Sequence, residues 1–162
     1  MANLTNRIVK WGYFGVKHHA RFTYSEGPQR MSSITKKPGT LPVICDCSAF
    51  VTLCYKWAGA PDPNGLNYDG SGYTGTLIQH GREIDAIHVR SGDLVIYGPG
   101  TGEHTALIVH PGNGDPVTIS MGQQGDPSVV RVSRDGRPAR YYRYDTSGPG
   151  FFSRLIHRRK FA

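Results

Sequence analysis

The chain has 162 residues, 38% hydrophobic and 19% charged, with 19 Lys and Arg against 12 Asp and Glu. That length fits one domain with a core that needs no staples, and the composition excludes a disordered chain. The basic surplus points to polyanionic surroundings, and no apolar run approaches the length of a membrane-spanning helix.

With 21 Gly and 11 Pro, short elements joined by many loops are expected. Met1 to Lys10 mixes polar and apolar residues and predicts no secretory leader. From Ala2 to His19, the spacing of Leu4, Ile8, Trp11 and Gly15 suits one face of a helix. Phe22 to Tyr24 reads as a short extended piece, and Thr35 to Pro42 as a polar loop. Residues Cys47 to Ala58 set Phe50, Val51, Cys54, Tyr55 and Ala58 on one stripe at helical spacing. Asp46 stands where an N-cap belongs and Gly59 where a C-cap belongs, and Pro61 and Pro63 forbid continuation. A long Gly/Asn/Pro/Asp loop follows over Ala60 to Gly75, then a short helix over Thr76 to Gly81.

From Ser91 the period changes to two. Asp93 to Tyr97, His104 to Val109, Val117 to Met121, Val129 to Val132 and Ala139 to Tyr144 are predicted strands. Helices followed by an antiparallel meander make an α+β domain over 1–162. A basic run at about 150–162, with Arg154, His157, Arg158, Arg159 and Lys160, reads as a solvated tail.

Three cysteines, Cys45, Cys47 and Cys54, lie within ten residues of one another, which is neither a disulfide framework nor a zinc set. Reactivity is the remaining reason to hold one. A helix N-terminus favours a thiolate, so Cys47, at the first helical position, is the candidate nucleophile. Cys54 reads as an inert core thiol, and Cys45 precedes the helix. A nucleophile needs a base within reach. His104 opens a strand directly after the turn Gly98-Pro-Gly-Thr-Gly-Glu103, a common setting for a catalytic side chain. His18, His19, His80, His88, His110 and His157 read as surface or packing residues.

Asp46-Cys47-Ser48-Ala49-Phe50-Val51 resembles the nucleophile motif of the NlpC/p60 cysteine peptidases. Gly92-Asp93-Leu94-Val95 followed by His104-Thr-Ala-Leu-Ile-Val109 resembles their histidine element. The likeness extends to the N-terminal peptidase domains of actinobacteriophage endolysins through Tyr24 to Met31, Asp46 to Gly65 and Gly72 to Leu77. It spans roughly Phe22 to Gly125. The resemblance implies a papain-like fold, with a nucleophile helix packed on a small antiparallel sheet, and a third polar residue that orients the histidine. Phage relatives tend to read Ser-His-Gly where this chain has Ser120-Met121-Gly122, which puts Met121 in the histidine slot. Met cannot accept a strong hydrogen bond, so Gln123 is taken as the orienting residue, with Ser120 next.

The resemblance further implies hydrolysis of an amide bond in the peptidoglycan stem peptide or cross-link. Tyr24, Asp46 and Ser48 are its substrate-binding residues, and neither a metal nor an organic cofactor is needed. The chain is read as a monomer, alone or as part of a larger lysin or virion. It would be made in the host cytoplasm and reach the wall after holin-type release or from the virion. The rival readings are a non-catalytic virion or tail component that binds cell wall, and a papain-like amidase or transacylase on another substrate. A nucleic-acid partner is not expected, because no recognition motif accompanies the charge.

Overall fold

The computed structural model describes residues 2–123 and 126–146; the basic tail at about 150–162 lies outside the described residues. The first helix, α1, spans Leu4–Lys17, capped by the Asn3 side chain, which accepts from the Asn6 N–H at 2.8 Å. Strand β1 (Phe22–Tyr24) pairs in parallel with β2 (Val43–Cys45). The residues before Asp46 therefore form a strand, where only a loop ending at Pro42 was expected.

Helix α2 spans Cys47–Ala58, the bounds predicted. Asp46 caps it, its carboxylate accepting from the Ala49 N–H at 2.7 Å. Gly59 ends it at φ 79°, a left-handed conformation that costs glycine little. The predicted apolar stripe is too narrow a description. Every residue of α2 except Lys56 is buried, because α1 covers one side and the sheet the other.

Helix α3 (Thr74–His80) starts two residues earlier than predicted, and β3 (Arg82–Ile84) was not anticipated. Then come β4 (Leu94–Tyr97), β5 (His104–His110), β6 (Val117–Met121), β7 (Pro127–Arg131) and β8 (Ala139–Arg143). Strands β4 to β7 form the expected meander. The last strand does not continue it: β8 returns to lie between β3 and β4, giving the order β3-β8-β4-β5-β6-β7. Antiparallel pairing to β4 joins Leu94 with Tyr142, and the Arg143 guanidinium grips the Asp93 carboxylate from both Nε and Nη2.

The larger core lies between α1, α2 and the sheet, and holds Ile8, Phe50, Leu94, Ile96, Leu107, Ile119 and Met121. A smaller cluster of Val89, Val95, Tyr97, Ala106 and Ile108 forms on the other face, as strand alternation requires. α1 approaches closely through Gly12 and Gly15. A Cβ on Gly15 would stand 2.7 Å from the Phe50 ring, and one on Gly12 2.8 Å from Leu107.

Candidate active site

The N-terminus of α2 meets the start of β5 at one end of the sheet. Cys47 occupies the first turn of α2 and is buried. Burial raises its thiol, and the Thr105 backbone N–H, with those of Ser48 and Cys47, acts against that rise. Burial wins, with the Asp46 carboxylate in support, and the pKa is pushed up to about 11. The helix terminus alone was expected to favour the thiolate; desolvation outweighs it here. Cys45 and Cys54 are raised further by burial and are free thiols in the core.

His104, next in sequence to Thr105, is half-buried at the first position of β5. Its Nε2 lies 2.7 Å from the Ser120 Oγ on β6. Burial, and then the Arg137 guanidinium, hold its imidazole below the usual range, while Asp135 acts in the opposite direction. Both shifts favour the uncharged form, the thiol for Cys47 and the neutral imidazole for His104.

Ser120, ranked second in sequence, is the residue against the histidine. Gln123, ranked first, is not: its amide Nε2 donates to Glu26 Oε1 at 3.2 Å. Met121 does not occupy a slot beside His104 either. It is fully buried in the core beneath the helices, because alternation along β6 sends Ser120 and Met121 to opposite faces.

Tyr24 donates its hydroxyl to the same Glu26 Oε1 at 2.8 Å. Burial, the bond to Glu26 and proximity to the Cys47 sulfur all raise its pKa. Glu26 thus links β1 to the end of β6 near the nucleophile. Asp46 and Ser48, predicted to bind substrate, are engaged within the chain. Asp46 Oδ1 accepts from Ala49 N–H, from Ser48 Oγ at 3.0 Å and from Arg30 Nη1 at 3.4 Å. Arg30 also reaches Ser48 Oγ and the Gly72 carbonyl, tying the helix cap to the long loop after α2.

Four further residues form a chain behind the histidine. Tyr97 is its cross-strand partner, and the rings stack with centroids 5.7 Å apart and planes 12° off parallel. The Arg137 guanidinium carbon stands 5.6 Å from the Tyr97 ring centroid. Asp135 holds Arg137 through two contacts at 2.6 and 2.7 Å, and Glu103 lies 3.5 Å away. Tyr97 was within reach of sequence reasoning, since the Gly98 to Gly102 turn sets it opposite His104. Arg137, Arg30 and Glu26 carry no local signal. Among the described residues, no group of three or more His, Cys, Asp or Glu could hold a metal, and no helix is long and apolar enough to cross a membrane.

No protein-family profile matches the chain. In sequence it is similar to the peptidoglycan endopeptidase RipB of Mycobacterium tuberculosis, with 31% identity over 98 residues. It is also similar to the peptidoglycan endopeptidase RipA of Mycolicibacterium smegmatis, with 33% identity over 108 residues. These matches cover 60% and 66% of this chain but only 36% and 19% of those proteins. Among solved structures it is similar to RipB from M. tuberculosis, at TM-score 0.51 and 23% identity, over 86% of this chain and 65% of that one. It is similar to RipD of the same organism, described as a non-catalytic NlpC/p60 domain protein adapted to peptidoglycan binding. That likeness has TM-score 0.57 and 22% identity, over 88% of this chain and 98% of the other. The P60 domain of an M. avium paratuberculosis antigen gives TM-score 0.58 at 19% identity, over 88% and 93% of the two chains. The fold is the α+β, papain-like NlpC/p60 fold.

Proposed function

We propose that this domain is a cysteine peptidase that cleaves an amide bond in the peptide of bacterial peptidoglycan. The observation that carries the reading is that the Cys47 sulfur, in the first turn of α2, is met by the backbone N–H of Thr105, the neighbour of His104 at the head of β5, while His104 Nε2 lies 2.7 Å from Ser120 Oγ. The similarity to RipA and RipB supports the substrate class.

With both groups neutral at rest, the thiol proton moves as the sulfur attacks. His104 accepts that proton while a C–S bond forms at the substrate carbonyl. The developing oxyanion is met by the backbone N–H at the start of α2. His104 then protonates the departing amine as the C–N bond breaks. Water hydrolyses the thioester, freeing the acid and restoring the thiol. Tyr24, tied to Glu26, is assigned to contact the substrate or the oxyanion through its hydroxyl. Asp46 and Ser48 serve the reaction through the helix cap and Arg30. No metal or organic cofactor takes part. The biological setting we favour is a bacteriophage endolysin or virion-associated lysin, reaching the wall after holin-type release or from the virion.

The test is release of new amines from purified peptidoglycan, with mass spectrometry of the soluble fragments. Wild type is expected to release peptides, and Cys47→Ala to fall by at least about 10³-fold. A second reading, a wall-binding domain with a silent thiol, draws on the likeness to RipD and on the buried, protonated sulfur. It predicts retention on the wall with no fragments from either protein across several wall types.

A further inference from the structure

Positive charge is segregated along the chain and so between the layers of the fold. Residues 1–45 hold seven Lys and Arg and one acid, Glu26, whereas residues 46–146 hold eight basic and eleven acidic residues. The first stretch builds α1, β1, β2 and the loop between those strands. On α1, Asn6, Lys10, Tyr13 and Lys17 recur at three- and four-residue spacing and are all exposed. Exposed Arg21 continues beyond the helix. Lys36 and Lys37 are exposed on a loop that docks on the same helix, since a Cβ on its Gly39 would stand 3.6 Å from Trp11. The loop that carries these two cations therefore packs against α1.

Beyond α2 the basic residues are mixed: Arg82, Arg90, Arg131 and Arg134 form no ion pair among the described residues, but three others are held within the chain. Arg137 is bound to Asp135 and Glu103, Arg143 to Asp93, and Arg140 to the Gly98 and Gly100 carbonyls. Among the described residues, Lys10, Lys17, Arg21, Lys36 and Lys37 form no ion pair. Clustered cations without counter-charge raise the local potential and draw in a polyanion. Lys10 and Lys17 are separated by ~10 Å along the helix axis. An open row of that kind suits a repeating charge on a flexible polymer, whereas a single small anion calls for a convergent pocket.

We infer that the outer face of α1, with the 36–40 loop, is a docking surface for a phosphodiester-linked anionic polymer of the bacterial wall. This rests on the peptidoglycan-peptidase reading, because it is that reading which selects a wall polymer over other polyanions. Bound there, the domain stays on the wall between turnovers, with the energy coming from release of condensed counterions.

The test measures retention, so turnover is not required. The full chain carrying Cys47→Ala is titrated onto sacculi before and after hydrofluoric acid has removed their phosphodiester-linked polymers, over a range of salt. Lys10→Glu/Lys17→Glu and Lys36→Glu/Lys37→Glu are compared with Arg82→Glu/Arg90→Glu, which changes net charge equally at exposed sites elsewhere. On intact sacculi, each lysine pair is expected to weaken retention about tenfold at low salt and to flatten its salt dependence, with the arginine pair near the parent. Stripped sacculi should hold all four proteins weakly. If the arginine pair loses as much as the lysine pairs, only net charge matters and the surface is refuted. If stripping changes nothing, the polymer is not the partner. If duplex DNA binds more tightly than intact sacculi, with the same lysine dependence, the site is one for nucleic acid and the inference fails. Wild type that is retained yet releases no peptide would remove the peptidase reading and leave the docking surface standing.

Discussion

At the scale of single residues, the proposed chemistry turns on Cys47 and His104. With its pKa near 11, Cys47 should react with iodoacetamide slowly at neutral pH, and the rate should climb through the alkaline range about tenfold per pH unit. A rate already at its plateau at pH 6 would instead mean a preformed thiolate. Ser120 holds the His104 ring at Nε2. Ser120→Ala is expected to cost about 1 kcal/mol in kcat/KM, roughly fivefold, with Gln123→Ala smaller. Burial, and then Arg137, keep His104 below its ordinary pKa, so its free base persists to lower pH than that of an exposed histidine. Removing Arg137 also leaves Asp135, which favours the imidazolium, without its cation. Arg137→Gln should therefore move the acidic limb of kcat/KM to higher pH, and Arg137→Lys should move it back in part. NMR titration of the imidazole in Cys47→Ala reads the same shift without turnover. Equal loss at every pH, with the titration unmoved, would leave Arg137 a role in the turn alone.

At the scale of elements, α1 can lie against the sheet and α2 only because two of its positions have no side chain. Gly15→Ala would improve intrinsic helix propensity by about 1 kcal/mol. The added methyl would, however, meet the Phe50 ring at 2.7 Å and Pro127 at 3.3 Å. The Phe50 ring is fully packed, so the clash should win and lower stability by about 1–3 kcal/mol, seen as a fall in Tm of several degrees. A higher Tm would mean that α1 shifts outward without cost. Helix α2 is the opposite case. Its cap and its stop are local, through Asp46 and Gly59, and its bounds follow from them.

At the scale of the molecule, the last strand is structural although it lies beyond Gly125, where the resemblance read from the sequence motifs ends. Strand β8 has neighbours on both sides, and Tyr142 and Tyr144 are buried in the main core. Removing it leaves β3 without a partner and exposes the β4 ladder. A chain ended at residue 138 is expected to lose its near-ultraviolet dichroism and cooperative melt, whereas one ended at 146 should keep both. A cooperative melt from the shorter chain would mean that β4 to β7 with the two helices fold alone.

Local interactions write the sequence-legible part of this protein. Asp46, the apolar density of 47–58 and Gly59 determine the helix; the two-residue period determines β4 to β8; and the position of Cys47 ahead of a strand-leading histidine singles out the candidate site. Tertiary packing decided the rest, because it depends on residues distant in sequence. It sent β8 between β3 and β4, and it turned Ser120 rather than Gln123 to His104 by fixing which face of β6 meets the core. It also raised the Cys47 thiol, since desolvation comes from the elements packed over a residue and not from its neighbours along the chain.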